Sequence, residues 1–513
     1  MPPESGAYEI VPYPTRAQSP IHPDRLAALG LLYGLDPCPL DRCRILEIGC
    51  GDGGNLIPIA AVLPESRCEG IDASSTAIRR GREYAERCGL RNVALRCVQL
   101  PDAAAVTGEF DYILCHGVFS WVPEPVREAI LRICCAHLAP KGLAVVSYNA
   151  LPGGHARRAV REMLRWHVRE VAAAAERITE ARALAQLVEE RMVEQGASAR
   201  ALREELAVAR HKEDGHFYHD DLAATNDPFY LHEFMVRARR HGLRYLADAD
   251  LTDLIRPALP ADLRGLLAAL TSDRVEREQY MDFLVARRFR QTILCHATQP
   301  AADAPLADRL AQCWFSSPAA SLTPDKVSQP SAVAVFEKSG GPRLETDLLP
   351  GKLALARLTG AWPRRLAFAG LEAPTSPVVA GAPTGAPAPR LREHLCAFLL
   401  EAITARLVFC HGFCPRTVQV PGSRPRAFPP ARVQAGAGQW VVNAFHQTLD
   451  LEPPAARVLL TLSDGTRSRE ELLHAMTTLA SGEPTERAGG WPTTAADLEA
   501  ALAKLGDGGL LVE

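Results

Sequence analysis

The chain has 513 residues, 47% hydrophobic and 23% charged, which is too long for one core and predicts roughly two to four globular domains. Its formal net charge of −3 provides no bulk field toward nucleic acid or an anionic membrane. Fourteen scattered Cys fall far short of a disulfide scaffold, residues 1–7 lack the pattern of a signal peptide, and Glu401 and Arg406 interrupt the apolar stretch 395–410, so a reducing, cytoplasmic setting without membrane insertion is expected.

Residues 1–40 read as an N-terminal extension. From 41 to 149 short apolar runs at 44–48, 67–71, 93–98, 112–115 and 143–148 alternate with helical stretches at 55–63, 76–88 and 125–138. That alternation predicts a doubly wound parallel sheet covered by helices. The chain then changes period. Val160, Leu164, Val168 and Val171 stand at helical spacing in a segment with few turn signals, so 156–215 is expected as a helical insert. A helix at 230–241 closes on Gly242, followed by strand candidates at 243–247 and 289–295. These lie in a region, 216–300, that completes a seven-stranded sheet. Because all seven strands precede residue 300, that part is expected to fold and hold its ligand alone. Beyond it come a middle domain at 306–372, a Pro/Gly-rich linker at 373–390 and a C-terminal domain at 391–513, with a surface loop at 413–438. Three helices at 454–461, 468–479 and 497–505 and a strand at 508–512 are expected near the end.

Chemistry concentrates at the strand ends. Glu47-Ile48-Gly49-Cys50-Gly51-Asp52-Gly53-Gly54-Asn55 follows the first strand and opens the first helix. Glycine there lets backbone amides approach a bulky cofactor closely. Gly49, Gly51 and Gly54 also satisfy the dinucleotide pattern, whereas the Glu47 carboxylate suits an amino-acid ammonium better than a pyrophosphate. Asp72, ending the second strand, can accept both hydroxyls of an adenosine ribose, in NAD or in S-adenosylmethionine.

The run Phe110 to Pro123, containing His116, Gly117 and Trp121, follows the fourth strand. With the acidic Gly-rich loop it resembles motifs I and IV of class I S-adenosylmethionine-dependent methyltransferases. Tyr13-Pro14, His22-Pro23-Asp24-Arg25-Leu26, Ser147 to His155, Asn226 to Phe234 and Gln279 to Phe283 are similar to one bacterial subgroup of them. That subgroup carries a methyltransferase regulatory domain and includes rickettsial-type protein-lysine methyltransferases. The resemblance spans about residues 8–300 and implies S-adenosylmethionine as cofactor, a middle domain and a winged-helix-like C-terminal domain. It implies that Gly49, Cys50, Gly51, Gly53 and Asn55 cradle the methionine part, Glu47 meets its ammonium and Asp72 holds the ribose. Gln99 is expected near the adenine, and His116 and Gly117 where acceptor and methyl meet. Tyr148, Tyr218 and His219, with Asn149 and His155, are candidates for orienting the acceptor. The sixth and seventh strands are expected to be antiparallel.

Other clusters carry less. His211, His216, His219, Asp220 and Asp221 read as a polar lid, not a metal site, and Cys410 and Cys414 lack a second pair of ligands. Residues 451–513 hold five basic and ten acidic side chains, which repels phosphate and favours a protein-contact role. A protein acceptor is the expected partner, and the helical insert is the expected surface for pairing with a second copy. A small-molecule O- or N-methyltransferase and a catalytically silent cofactor-binding protein are the alternatives. Turnover on an amine should rise toward alkaline pH, with cofactor binding nearly flat.

Overall fold

Seven strands form the central sheet: β1 (Arg44–Ile48), β2 (Arg67–Asp72), β3 (Val93–Cys97), β4 (Phe110–Cys115), β5 (Leu138–Asn149), β6 (Leu243–Asp248) and β7 (Phe289–His296). The computed structural model describes residues 10–100, 106–193, 196–249, 261–372, 388–481 and 491–513. Strand order is β3-β2-β1-β4-β5-β7-β6. β1 to β5 are parallel; β7 runs against β5 and β6 against β7, so β7 alone is reversed within the sheet. β4 is buried along its whole length, as the middle strand of a sheet covered on both faces must be.

Helix α1 (Pro23–Leu32) forms within the stretch read as an N-terminal extension, where no helix was expected, while α2 (Leu56–Val62), α3 (Ser75–Arg87) and α4 (Glu124–Ala136) lie close to where the sequence put them. The Ser74 side chain accepts from the Ala77 N–H at 3.1 Å and starts α3 directly after β2. The insert comprises helices Gly154–His167, Ala174–Arg191 and Ala197–Arg210, which bury Leu164, Ala181, Ala185 and Leu206 among themselves. Among the described residues, no helix is long and apolar enough to cross a membrane.

Two boundaries differ from expectation. Helix Ala388–Thr404 and strand Phe409–His411, placed by sequence in the C-terminal domain, belong with the middle region: Phe409–His411 pairs with Trp314–Ser316, beside Leu366–Ala367. Of the expected linker, only 388–390 fall among the described residues, and they open that helix. The loop expected at 413–438 contains helix Pro429–Ala435, with Pro430, Ala431, Val433 and Ala435 buried. The two prolines that suggested a loop sit in its first turn, where no N–H is needed.

The middle region is also not an appendage. One continuous apolar core joins Leu29, Ile45 and Leu56 on one sheet face to Leu310, Phe315, Leu355 and Leu399. A chain ending near residue 300 would lack the residues that cover that face, a cover that the sequence expectation of independent folding did not include. The opposite face packs Leu46, Ile48, Phe119, Tyr148 and Phe234 into a second core. A third core belongs to helices Pro454–Leu462, Arg469–Ala480 and Ala495–Asp507, the hairpin Trp440–Val442/Thr448–Asp450, and Leu511–Val512 paired with Arg426–Ala427. This is a winged-helix arrangement.

Candidate active site

The Gly-rich loop leaves β1 by a sharp turn. Gly49, Gly51 and Gly53 hold φ of +75°, +55° and +77°, a region that L side chains rarely adopt. Gly49 and Cys50 donate their N–H groups to the Ile71 carbonyl at 2.8 and 3.1 Å, tying the loop to the end of β2. A side chain at Gly49 would collide with Val118, so glycine there lets the loops after β1 and β4 meet. A Cβ on Gly51 would lie 2.6 Å from Thr15 Cγ2. Thr15 belongs to an N-terminal strap, and its hydroxyl bonds the Asp52 carboxylate while accepting the Gly54 N–H at 3.1 Å.

Glu47 is buried. Its Oε1 accepts from Asn55 Nδ2 at 2.8 Å, and its Oε2 has no hydrogen-bond partner among the described residues. Burial pushes this carboxyl up to about 8, the Asn55 bond opposing and the Asp72 charge adding. Half-buried Asp72 accepts the Gly51 N–H at Oδ2 (2.9 Å) and the Ser74 N–H at Oδ1 (2.8 Å). Burial raises its pKa, with those N–H groups working against the rise. A carboxylate has about four lone-pair sites, so beyond the backbone N–H groups it meets Asp72 keeps capacity for a ribose hydroxyl. An unpaired acceptor beside left-handed glycines, with a second carboxylate at the next strand end, fits an adenosyl amino acid: ammonium at Glu47, ribose at Asp72.

Gln99, on the loop after β3, donates from Nε2 to the Ala73 carbonyl at 3.0 Å and is otherwise exposed, which ties it to the loop after β2. Gly117, at φ +70°, donates its N–H to Ser147 Oγ at 2.8 Å, with open space where a side chain would be. The His116 ring packs edge-on to Phe289 with centroids 5.7 Å apart, and burial lowers its pKa to about 4, leaving an uncharged ring.

Comparison with known proteins identifies the family to which the chain belongs. Residues 45–142 match a family model described as "Methyltransferase domain", residues 213–296 "Predicted methyltransferase regulatory domain", and residues 423–510 "PKMT, C-terminal winged helix domain". Uncharacterized protein RP028 of Rickettsia prowazekii is 34% identical over 241 residues, 47% of this chain and 96% of that protein. The solved structure of PKMT2 from Rickettsia typhi superposes with a TM-score of 0.83 at 25% identity, covering 98% of this chain and 100% of that one. This chain belongs to the class I S-adenosylmethionine-dependent methyltransferases of rickettsial PKMT type. The same PKMT2 has been solved in complex with AdoHcy, the demethylated cofactor. A longer relative, uncharacterized protein RP789 of R. prowazekii, is 37% identical over 294 residues, but this methyltransferase spans only about half of its length, 53%.

Several expected site residues of the methyltransferase do other work. Tyr148 lies in the core, stacked on Phe234 at 4.4 Å with its hydroxyl 3.0 Å from Thr292 Oγ1, and burial pushes its pKa up, so it does not face an acceptor. Alternation put it on the inner face of β5. Asn149 donates to Asn226 Oδ1 at 2.7 Å and so joins two of the short strings noted in the sequence. His219 is buried with Nε2 2.6 Å from the Val11 carbonyl, and half-buried Tyr218 shares its π-helical turn, Tyr218–Leu222. These residues anchor the strap that continues through Tyr13 to Thr15. Asp220 and Asp221 face Lys212 and Arg157, and His211 Nδ1 meets the Ala207 carbonyl, so the lid residues are spent on ion pairs and turns. Asn55 turns its amide to Glu47 and positions the carboxylate. Cys50 packs its thiol into the space beside Gly70.

Sequence reasoning missed Thr15, Gln18 and Ser147 as parts of the site. It noted His22-Pro23-Asp24 without a role. Asp24 is buried and accepts from His22 Nδ1 (2.7 Å), His411 Nδ1 (3.1 Å) and Arg365, linking α1 to the middle region. The unusual string was the signal; its partners, far along the chain, were not foreseeable.

Proposed function

We propose that this methyltransferase moves a methyl group from S-adenosylmethionine to the side-chain amine of a lysine on a protein. The observation that carries this reading is the end-to-end likeness to PKMT2 from Rickettsia typhi, beside the sequence resemblance to rickettsial-type protein-lysine methyltransferases. It extends through the regulatory region and winged helix, which a small-molecule pocket would not require. When bound, S-adenosylmethionine supplies a methyl on a sulfonium, open to in-line displacement by a neutral nucleophile.

The chain's own residues do the rest. Glu47 Oε2 holds the cofactor's ammonium, the side-chain-free backbone of the loop from Gly49 to Gly53 leaves room for its amino-acid end, and Asp72 fixes the ribose. His116 presents an uncharged ring where charge would repel a cation, and it can accept a hydrogen bond from the incoming amine. Lysine, with an ordinary pKa of about 10.4, must lose its proton before it attacks, and apolar neighbours such as Phe289 favour the neutral form. A cytoplasmic setting is part of this reading. The helical insert exposes Trp166, Leu187 and Val208, a surface suited to pairing with a second copy.

The test is incubation of the purified protein with radiolabelled methyl donor and host lysate. A labelled protein band with about 14 Da added on lysine is expected, formed faster at pH 9 than at pH 7. A labelled extractable metabolite with no modified protein would overturn the lysine reading in favour of a small-molecule acceptor.

A further inference from the structure

Glu47 takes its orientation from a residue at the other end of the chain. Asn55 Nδ2 donates to Glu47 Oε1, and Asn55 Oδ1 receives two groups: the Gln18 backbone N–H at 2.9 Å and His446 Nε2 at 2.8 Å. A backbone N–H can only donate, so the atom it meets is the amide oxygen and the amide nitrogen must face Glu47. It follows that His446 carries its proton on Nε2. Its Nδ1 is buried, without a hydrogen-bond partner among the described residues, as the bare nitrogen of a neutral ring.

His446 lies at the tip of the hairpin between Trp440–Val442 and Thr448–Asp450, the wing of the C-terminal domain. It is 2% exposed and has a left-handed backbone at φ +62°, a conformation that persists only where surroundings enforce it. Asn443 enforces it: its Oδ1 accepts the Phe445 and Gln447 N–H groups at 3.1 and 2.9 Å, and its Nδ2 donates to the Gly508 carbonyl at 2.9 Å. The His446 carbonyl accepts from the Ser19 hydroxyl, and its ring packs on His22 at 4.8 Å. The wing is thus inserted into the catalytic domain beside the cofactor loop.

We propose that His446 is a positioning residue for the cofactor's amino-acid end, acting through Asn55 on Glu47, so that the C-terminal wing is a built-in part of the cofactor site. The proposal rests on the S-adenosylmethionine reading of the Gly-rich loop. Without the His446 donor, the Asn55 amide keeps only the Gln18 N–H as its anchor, and the donor that orients Glu47 is held less firmly. The adenosine end, held at Asp72, does not depend on this chain of bonds.

Full-length parent, His446→Ala and His446→Gln should be titrated calorimetrically with S-adenosylhomocysteine, which carries the ammonium, and with 5′-methylthioadenosine, which lacks the amino-acid part. The alanine variant should bind S-adenosylhomocysteine about tenfold more weakly and methylthioadenosine within about twofold of the parent, as expected for one buried hydrogen bond. Glutamine, which keeps a donor, should restore most of the loss. Should the alanine variant fail to fold, His446→Asn, too short to reach Asn55, carries the same comparison. Equal weakening of both ligands, or unchanged S-adenosylhomocysteine binding, would overturn the proposal. A parent that binds neither ligand would overturn the cofactor assignment itself, and this proposal with it.

Discussion

Replacing Glu47 by glutamine keeps the shape and removes the charge, and the structure sizes the consequences. The carboxyl, held up to about 8 chiefly by burial, faces Asn55 and Asp72, with the thiols of Cys50, Cys68 and Cys115 nearby. At pH 7 about a tenth of the unliganded molecules carry the carboxylate. An ammonium selects that form, so binding of S-adenosylhomocysteine must release a proton. Affinity should therefore tighten about tenfold between pH 6 and pH 7 and level off above pH 8. This replaces the flat profile expected from sequence. Glu47→Gln should abolish the slope and weaken binding by about ten- to a hundredfold at pH 8, the worth of a charge-assisted bond. Stability moves the other way. Because the folded pKa lies above the unfolded value, the folded chain binds that proton more tightly, and stability falls as pH rises from about 4.5 toward 8. By pH 7 the cost of the ionised group is on the order of 3 kcal/mol, so the ligand-free glutamine variant should melt several degrees higher than the parent. Calorimetric titration at pH 6, 7 and 8 and scanning calorimetry measure both effects. A variant that binds like the parent across this range, or melts no higher, would refute the reasoning.

Three further outcomes are expected. Gly51→Val should reduce cofactor binding at least a hundredfold by titration, because its side chain is forced to φ +55° and against Thr15. Asp24→Asn should destabilise the chain by about 3–5 kcal/mol in scanning calorimetry, since it leaves Arg365 buried beside a neutral group. Burial opposes ionisation of Asp24, but Arg365, His22 and His411 outweigh it and hold the pKa well below the usual range. The stabilisation is thus complete above about pH 3.9 and is lost only as pH falls through the lower folded value. Tyr148→Phe should leave turnover within about twofold, because among the described residues the hydroxyl it removes bonds only Thr292, in the core; a tenfold loss would return Tyr148 to the site.

The sheet and the loop were legible because their signals are local. Runs such as Tyr112–Cys115 and Leu143–Val146 are continuous and apolar, and Glu47, the glycines and Asp72 sit at strand ends, where topology alone puts ligands. The strand-end positions of Asp72 and the Gly-rich loop were therefore readable from the sequence, whereas the surroundings of Tyr148, Tyr218 and His219 were not. Their chemistry was read from residue type near the right strands, and nothing local tells which face of β5 a tyrosine takes or that a histidine will bond Val11. His446 lacked any local signal, since its role exists only through a contact 391 residues away. The domain boundary near 390 failed for the opposite reason. Pro/Gly-rich composition marks a break in the chain, but helix Ala388–Thr404 packs back across that break onto the middle region.

The core that joins α1 and β1 to residues 395–410 also bears on synthesis. A ribosome delivers Ile45 long before Leu399 and Cys410, and at about 5–20 residues per second the interval is roughly 20 to 70 s. Throughout that time one face of the nascent sheet has its own strands but not its cover. Apolar surface of that extent, exposed for that long, is a binding site for a chaperone that shields unfinished chains, and the need for it should ease once helix Ala388–Thr404 emerges.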